Sequence, residues 1–239
     1  MKKRLDVVLV ERGLAESRSQ AQALVLAGRV PGFTKAGTPV DEATELAVDR
    51  PPLFVSRGGE KLANALEHFD LDVTGEECLD VGASTGGFTD CLLQAGAASV
   101  CAVDVGYGQL HPRLRDDPRV TVLERTNVRG IRREQLPFAP TFLTCDVSFI
   151  GLDKALPPAL ATAAPGWRAL VLVKPQFEAG PGEVGKGGVV RDPDLREKIV
   201  DRVADRVPAW GGRVVGIVDS GLPGPKGNRE SFLYVLDAD

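Results

Sequence analysis

The sequence predicts an α/β protein: a mostly parallel seven-stranded sheet with its last strand antiparallel, preceded by a small α+β module. Three observations predict it. From residue 57 onward, apolar runs of strand length alternate with helical stretches, as parallel strands covered on both faces require. The last two runs have only the short connection GLPGPKGNRE between them, too short for a helical crossover, so they are expected to pair antiparallel. The first thirty residues differ from the rest in charge. They carry six bases and three acids, a net +3, while the whole chain is −4, which leaves −7 on the remainder.

In the front module, residues 4–14 read as a helix with Leu5, Val8 and Leu9 on one face, ended by Gly13. Ser17 caps a second helix whose apolar set is Ala21, Leu24 and Val25, closed by Gly28. Residues 30–48 alternate short apolar and turn-forming residues, which suits a small sheet or hairpin cluster. Pro51-Pro52 is a stiff break, so residues 1–52 are expected to form one domain with its linker and 53–239 the other. Residues 57–69 read as the entry helix of the second domain. Its strands are expected at 77–83, 99–105, 120–125, 141–147, 168–175, 213–219 and 231–237, with helices at 87–96, 152–164 and 193–210.

Composition excludes several classes. Hydrophobic residues are 43% and charged residues 26%, the balance of a soluble globular protein. Aromatics are only 5%, so the core rests on Val, Leu, Ala and Ile. No apolar run approaches the roughly 18 residues of a membrane span, and the basic N-terminus is not a signal peptide. Cys78, Cys91, Cys101 and Cys145 have no metal-ligand spacing and imply no disulfide framework, which predicts a cytoplasmic protein without a metal. A basic segment on an acidic body points to a localised polyanion contact.

The first strand runs into Asp80-Val81-Gly82-Ala83-Ser84-Thr85-Gly86-Gly87-Phe88-Thr89. Glycines in a strand-to-helix turn let the backbone approach a ligand. The spacing D-x-G-x-x-x-G-G suits an adenosyl amino acid better than a pyrophosphate. Asp104 ends the second strand, where an acid accepts hydrogen bonds from ribose hydroxyls. Asn127 follows the third strand and is placed to face an adenine; Asp146 ends the fourth. The arrangement is that of Rossmann-like methyltransferases. Lys174 ends the fifth strand beside Asp146, Lys61 lies on the entry helix, and Glu230 opens the final strand. These four are expected at one mouth of the cleft. A hydroxyl nucleophile needs a base, and a second ammonium with partial burial eases proton loss from one lysine. Lys174 is assigned as that base and Lys61 as its orienting partner.

CLDVGASTGGFTDCLL, VDVGYGQL, ERTNVR, DVSFI, LVKPQFEAG and GNRESFLYV resemble the TlyA family over nearly the whole chain. That resemblance implies an FtsJ-like 2'-O-ribose RNA methyltransferase with an S4-type RNA-binding domain in front. It implies S-adenosyl-L-methionine as cofactor, ribosomal RNA or ribosomal subunits as partner, and cytidine ribose as target. The family's Lys-Asp-Lys-Glu tetrad maps onto Lys61, Asp146, Lys174 and Glu230. The cofactor residues implied are Asp80, Gly82, Ala83, Ser84, Thr85, Gly86, Gly87, Phe88, Asp104, Asn127 and Asp146. Arg4, Arg18 and Gln20 take polar positions on the S4-like helix pair that could contact RNA. Where the family has a Val-Asn-Gly turn, this chain has Val30-Pro31-Gly32. No DNA or membrane partner is implied.

Other readings compete. A small-molecule methyltransferase explains the cofactor turn but not the basic helix pair. Amine-directed base chemistry lacks the Asp/Asn-Pro-Pro turn, since Asp146 is followed by Val147-Ser148-Phe149. Alternation points Cys145 away from the cleft, against cytosine C5 chemistry. A non-catalytic assembly factor and a membrane-active protein, after the family's old name hemolysin A, complete the set. Residues 178–190 are read as a lid over substrate or simply a long loop, Phe149 or Phe177 as a stacking surface for an unpaired base or as core packing, and His68 and His111 as structural or solvated.

Overall fold

The computed structural model describes residues 2–41, 43–49, 52–180, 182–185 and 187–238. The chain divides into two compact units, Met1–Pro52 and Leu53–Asp239.

In the first unit, β1 (Lys2–Arg4) leads into α1 (Leu5–Glu11) and α2 (Arg18–Leu26), and β2 (Pro39–Asp41) pairs antiparallel with β1. Leu5, Leu9, Ala21, Val25, Val30 and Val40 form its core, as the helical spacing predicts. Ser17 caps α2 by accepting from the Gln20 amide at 3.2 Å. The sheet differs from the sequence reading. Among the described residues, 30–48 contribute only β2, and its partner is the segment before α1. Lys2–Arg4 has no apolar alternation to mark it, so its pairing is decided by the tertiary neighbour alone.

The second unit opens with α3 (Arg57–His68), then β3 (Glu77–Val81), α4 (Gly87–Gln94), β4 (Ser99–Val103), the single turn α5 (Pro112–Arg115) and β5 (Val120–Leu123). It continues with β6 (Phe142–Cys145), α6 (Leu152–Leu160), β7 (Arg168–Val173), the short α7 (Pro175–Glu178), α8 (Pro193–Ala204), β8 (Gly212–Asp219) and β9 (Ser231–Asp237). The sheet order is β5-β4-β3-β6-β7-β9-β8. Strands β3 to β7 are parallel to one another, while β9 is antiparallel to both β7 and β8.

The central strands bury both faces. Leu79, Val81, Cys101 and Cys145 pack with α6 and α8, while Cys78, Ala102, Leu170 and Phe232 pack with α3 and α4. All four cysteine thiols are free and buried.

This topology positions a site. The carboxyl ends of parallel strands fall on one edge of the sheet, where open α/β folds bind ligands. Because β9 runs the other way, its start meets the end of β7: Ser231 pairs with Val173. The residues one step outside that pair are Glu230 and Lys174, which brings an acid and a lysine to the same edge.

Candidate active site

The turn after β3 is closed by steric necessity. Gly82 has φ +85°, and a Cβ there would collide with the Asp146 carbonyl. Gly87 sits so close to α3 that a Cβ would strike Ser56 and the Gly59 amide. The Ser84 amide donates to Asp104 Oδ2 at 2.8 Å, and the Gly106 amide donates to Oδ1 at 2.7 Å. The acid at the end of β4 thus fastens the glycine turn to the loop that follows β4.

Above this edge lies a cavity of about 600 Å3 whose lining includes Gly82, Ser84, Asp104, Asn127 and Asp146. It falls within the roughly 300–1,000 Å3 of small-molecule sites. Its chemistry is divided. A carboxylate and a side-chain amide stand among Val105, Val128, Val147 and Ile150, a donor set that fits a ribose diol and an apolar-sided purine. Asn127 Oδ1 also accepts from the Arg129 amide at 3.1 Å, which fixes its orientation.

A second cavity, about 250 Å3, adjoins it. Lys61, Lys174, Glu230 and Asp146 line it together with Ser56, Arg57, Gly58 and the turn residues Ala83, Thr85, Gly87 and Phe88. Gly82, Ser84 and Asp146 line both cavities, so these three form the wall between them.

The tetrad residues meet as two ion pairs. Lys61 Nζ donates to Glu230 Oε2 at 2.6 Å, and Glu230 is fully buried. Lys174 pairs with Asp146 Oδ1, but outside hydrogen-bonding alignment, and donates to Ser148 Oγ at 2.9 Å. Each ammonium therefore has a carboxylate beside it, where the sequence reading had the two lysines acting on one another. Gln176 Nε2 approaches the other Glu230 oxygen at 3.4 Å.

Two residues expected at the cofactor line neither cavity. Asp80 is fully buried under the turn, accepting from Thr89 Oγ1 at 2.6 Å and Thr144 Oγ1 at 3.0 Å. Burial pushes its carboxyl up to about 6, against the pull of those two hydroxyls. Gly86 is the N-cap of α4 at φ +98° and faces Leu110 and Leu114. Both shape the turn from below. Sequence reasoning missed Arg57, Ser148 and Gln176; Ser148 had a signal, lying two residues past the strand-end acid.

In the first unit, Gln20 is engaged at the start of α2. Its side-chain oxygen accepts from the Glu16 amide at 2.5 Å while its own amide bonds Ser17, so it completes a cap at the start of α2. Arg4 and Arg18 both reach Asp6. Residues 178–190 are anchored among their described members. Arg202 pairs with Glu183, and the Asn228 side chain bonds the Val190 amide and the Gly188 carbonyl. His111 caps α5 and His68 packs edge-on against Phe69.

Residues 54–236 match the FtsJ-like methyltransferase family, and residues 3–30 match the S4 domain. The chain belongs to the FtsJ-like methyltransferase family. It is 50% identical over 238 residues to the 16S/23S rRNA (cytidine-2'-O)-methyltransferase TlyA of Mycobacterium tuberculosis, covering 97% of this chain and 89% of the relative. It is 40% identical to Hemolysin A of Brachyspira hyodysenteriae, covering 98% and 99%. A solved hemolysin candidate from Streptococcus thermophilus superposes with a TM-score of 0.77 at 40% identity, covering 100% of this chain and 89% of that one. The FtsJ-like domain has the Rossmann-like methyltransferase fold, and a small S4 domain precedes it. Among the described residues no helix is long and apolar enough to cross a membrane.

Proposed function

We propose that this chain methylates the 2'-hydroxyl of a cytidine ribose in ribosomal RNA, with residues 1–52 as RNA-binding module and linker and 53–239 as catalytic domain. The observation that carries the chemistry is the wall shared by the two cavities. A donor in the larger one and a nucleophile in the smaller one would meet at Gly82, Ser84 and Asp146, which line both. The relative from M. tuberculosis, named for this reaction on cytidine, supports the substrate.

When bound, S-adenosylmethionine supplies an electrophilic methyl group. The chain's own residues do the rest. Asp104 would hold the ribose diol of the donor, and Asn127 would orient the base. Lys174, held at the rim of the shared wall by Ser148 and Asp146, would take the proton of the attacking hydroxyl only as the neutral amine, after its own proton has left to solvent. The Lys61–Glu230 pair, buried behind it, fixes the far side of the pocket. In-line alignment is the protein's main contribution to such a transfer. A ribosomal RNA substrate supports a cytoplasmic location.

The test is incubation with tritiated S-adenosylmethionine and ribosomal subunits from a strain lacking the protein, mapping label by reverse-transcription stops at low dNTP. Label on cytidine riboses is expected. Cofactor binding by calorimetry with no label on either subunit would move the substrate to another RNA or a small molecule. Lys174→Ala is expected to lower transfer at least about a hundredfold, the usual scale of a lost general base, while still binding cofactor. Full transfer by that variant would remove Lys174 as base.

A further inference from the structure

We propose that Asp6 is a positioning residue for RNA, whose buried carboxylate holds Arg4, Arg18 and Gln22 as one donor array for phosphates of a folded strand. The inference rests on the RNA-binding reading of residues 1–52.

Asp6 lies in the first turn of α1 and is fully buried between Leu5 and the neighbouring helix. Its two oxygens are reached from three side chains. Arg4 grips both, Nε to Oδ1 at 3.0 Å and Nη2 to Oδ2 at 2.9 Å. Arg18 Nη2 reaches Oδ2 at 3.2 Å from the start of α2, and Gln22 Nε2 reaches it at 2.9 Å from one turn further on. One carboxylate therefore ties β1 and α2 to α1.

Stability alone does not ask for a charge there. An apolar residue packed at a buried site is often as stable as an ion pair. What the carboxylate adds is geometry. Covered by these side chains, it takes part of each guanidinium, while the two arginine side chains stay 53% and 58% exposed. A guanidinium carries five N–H donors in a rigid fork. Arg4 uses two on Asp6 and Arg18 one, so three N–H donors of Arg4 and four of Arg18 lie beyond the Asp6 contact, on exposed side chains that Asp6 tethers. Two adjacent forks of that kind match phosphate oxygens. The unit's basic excess supplies the attraction, and Asp6 the placement.

The experiment measures the affinity of the full chain for ribosomal subunits across a potassium chloride series, for wild type, Asp6→Asn, Arg4→Ala and Arg18→Ala. Asp6→Asn removes a negative charge next to two arginines. If charge alone mattered, binding would tighten. Positioning requires the reverse: about tenfold weaker binding, with a salt slope shallower by about one or two counterions as the phosphates are released. Asp6→Asn binding as tightly as wild type with an unchanged slope overturns the proposal. If both arginine variants also bind like wild type, the RNA reading of this unit falls too; if they lose affinity and Asp6→Asn does not, only the positioning role falls. Should Asp6→Asn unfold the unit by circular dichroism, Arg4→Lys decides. It keeps the charge and loses the fork, so weakened binding supports the proposal and full affinity overturns it.

Discussion

Phe149 stands at φ +66° with 91% of its surface exposed, its ring 5.1 Å from that of Phe177. A bulky residue in the left-handed region is strained, and exposure returns nothing in packing. It lines the larger cavity next to Ser148, which holds Lys174. An aromatic face at that place suits an unpaired base turned toward the catalytic wall. Phe149→Gly is therefore expected to raise the melting temperature by a few degrees, about 1 kcal/mol of relieved strain. Methyl transfer to subunits should fall about tenfold, on the scale of one base–aromatic stack. Calorimetric melting and a tritium assay on the same variant check both; a gain in stability with unchanged transfer would leave the ring without a role. At the same scale, Arg57 lines the catalytic cavity beside Lys61, and Arg57→Ala is expected to weaken RNA affinity without altering cofactor binding in calorimetry.

Among the elements, the turn between β3 and α4 is the least tolerant. Gly82→Ala sets a Cβ against the Asp146 carbonyl at a left-handed backbone position. Loss of more than about 3 kcal/mol is expected, seen in urea unfolding, because neither strand end can move without breaking the sheet. Much of this element level was legible in the sequence. Apolar runs ending in Asp104, Asp146 and Lys174 mark strand ends, and the short last connection reverses β9, which is why Glu230 arrives opposite Lys174. Two things were hidden. Three basic residues reveal nothing of β1, since a strand that short is defined by its partner. Asp80 reads like a ligand because it adjoins the glycine turn, yet period-two alternation puts it on the Cys78 face, toward α4 rather than toward solvent. The Gln20 cap was readable from Ser17-x-x-Gln20 and was overshadowed by the RNA reading of the same helix.

For the whole molecule, buried Asp80 gives stability a distinct pH dependence. Its carboxyl is raised from 3.8 to about 6 on folding. A raised acid stabilises the fold fully below the unfolded value, and that contribution is lost as pH rises through about 6. The shift corresponds to roughly 3 kcal/mol at 1.36 kcal/mol per unit. Asp6 has the opposite sign: the Arg4 hydrogen bonds hold its carboxyl well below the usual range, so its contribution is present at neutral pH and fades on acidification. Comparing wild type with Asp80→Asn between pH 4 and 7 isolates the first effect. The difference in unfolding free energy should change steadily between pH 4 and 6 and level off above; a constant difference would mean that Asp80 titrates normally.

The four cysteines have a practical consequence. All lie between residues 78 and 145, all are buried, and burial pushes the Cys91 and Cys101 thiols up to about 12 and those of Cys78 and Cys145 higher still. Alkylating reagents attack the thiolate, so the folded catalytic unit is expected to resist iodoacetamide, and the N-terminal unit has no thiol to report. The rate at which mass is added at these four sites therefore counts openings of the catalytic unit alone. A cofactor that binds the folded form slows that clock in proportion to its occupancy, which makes thiol labelling a ligand assay that needs neither RNA nor turnover.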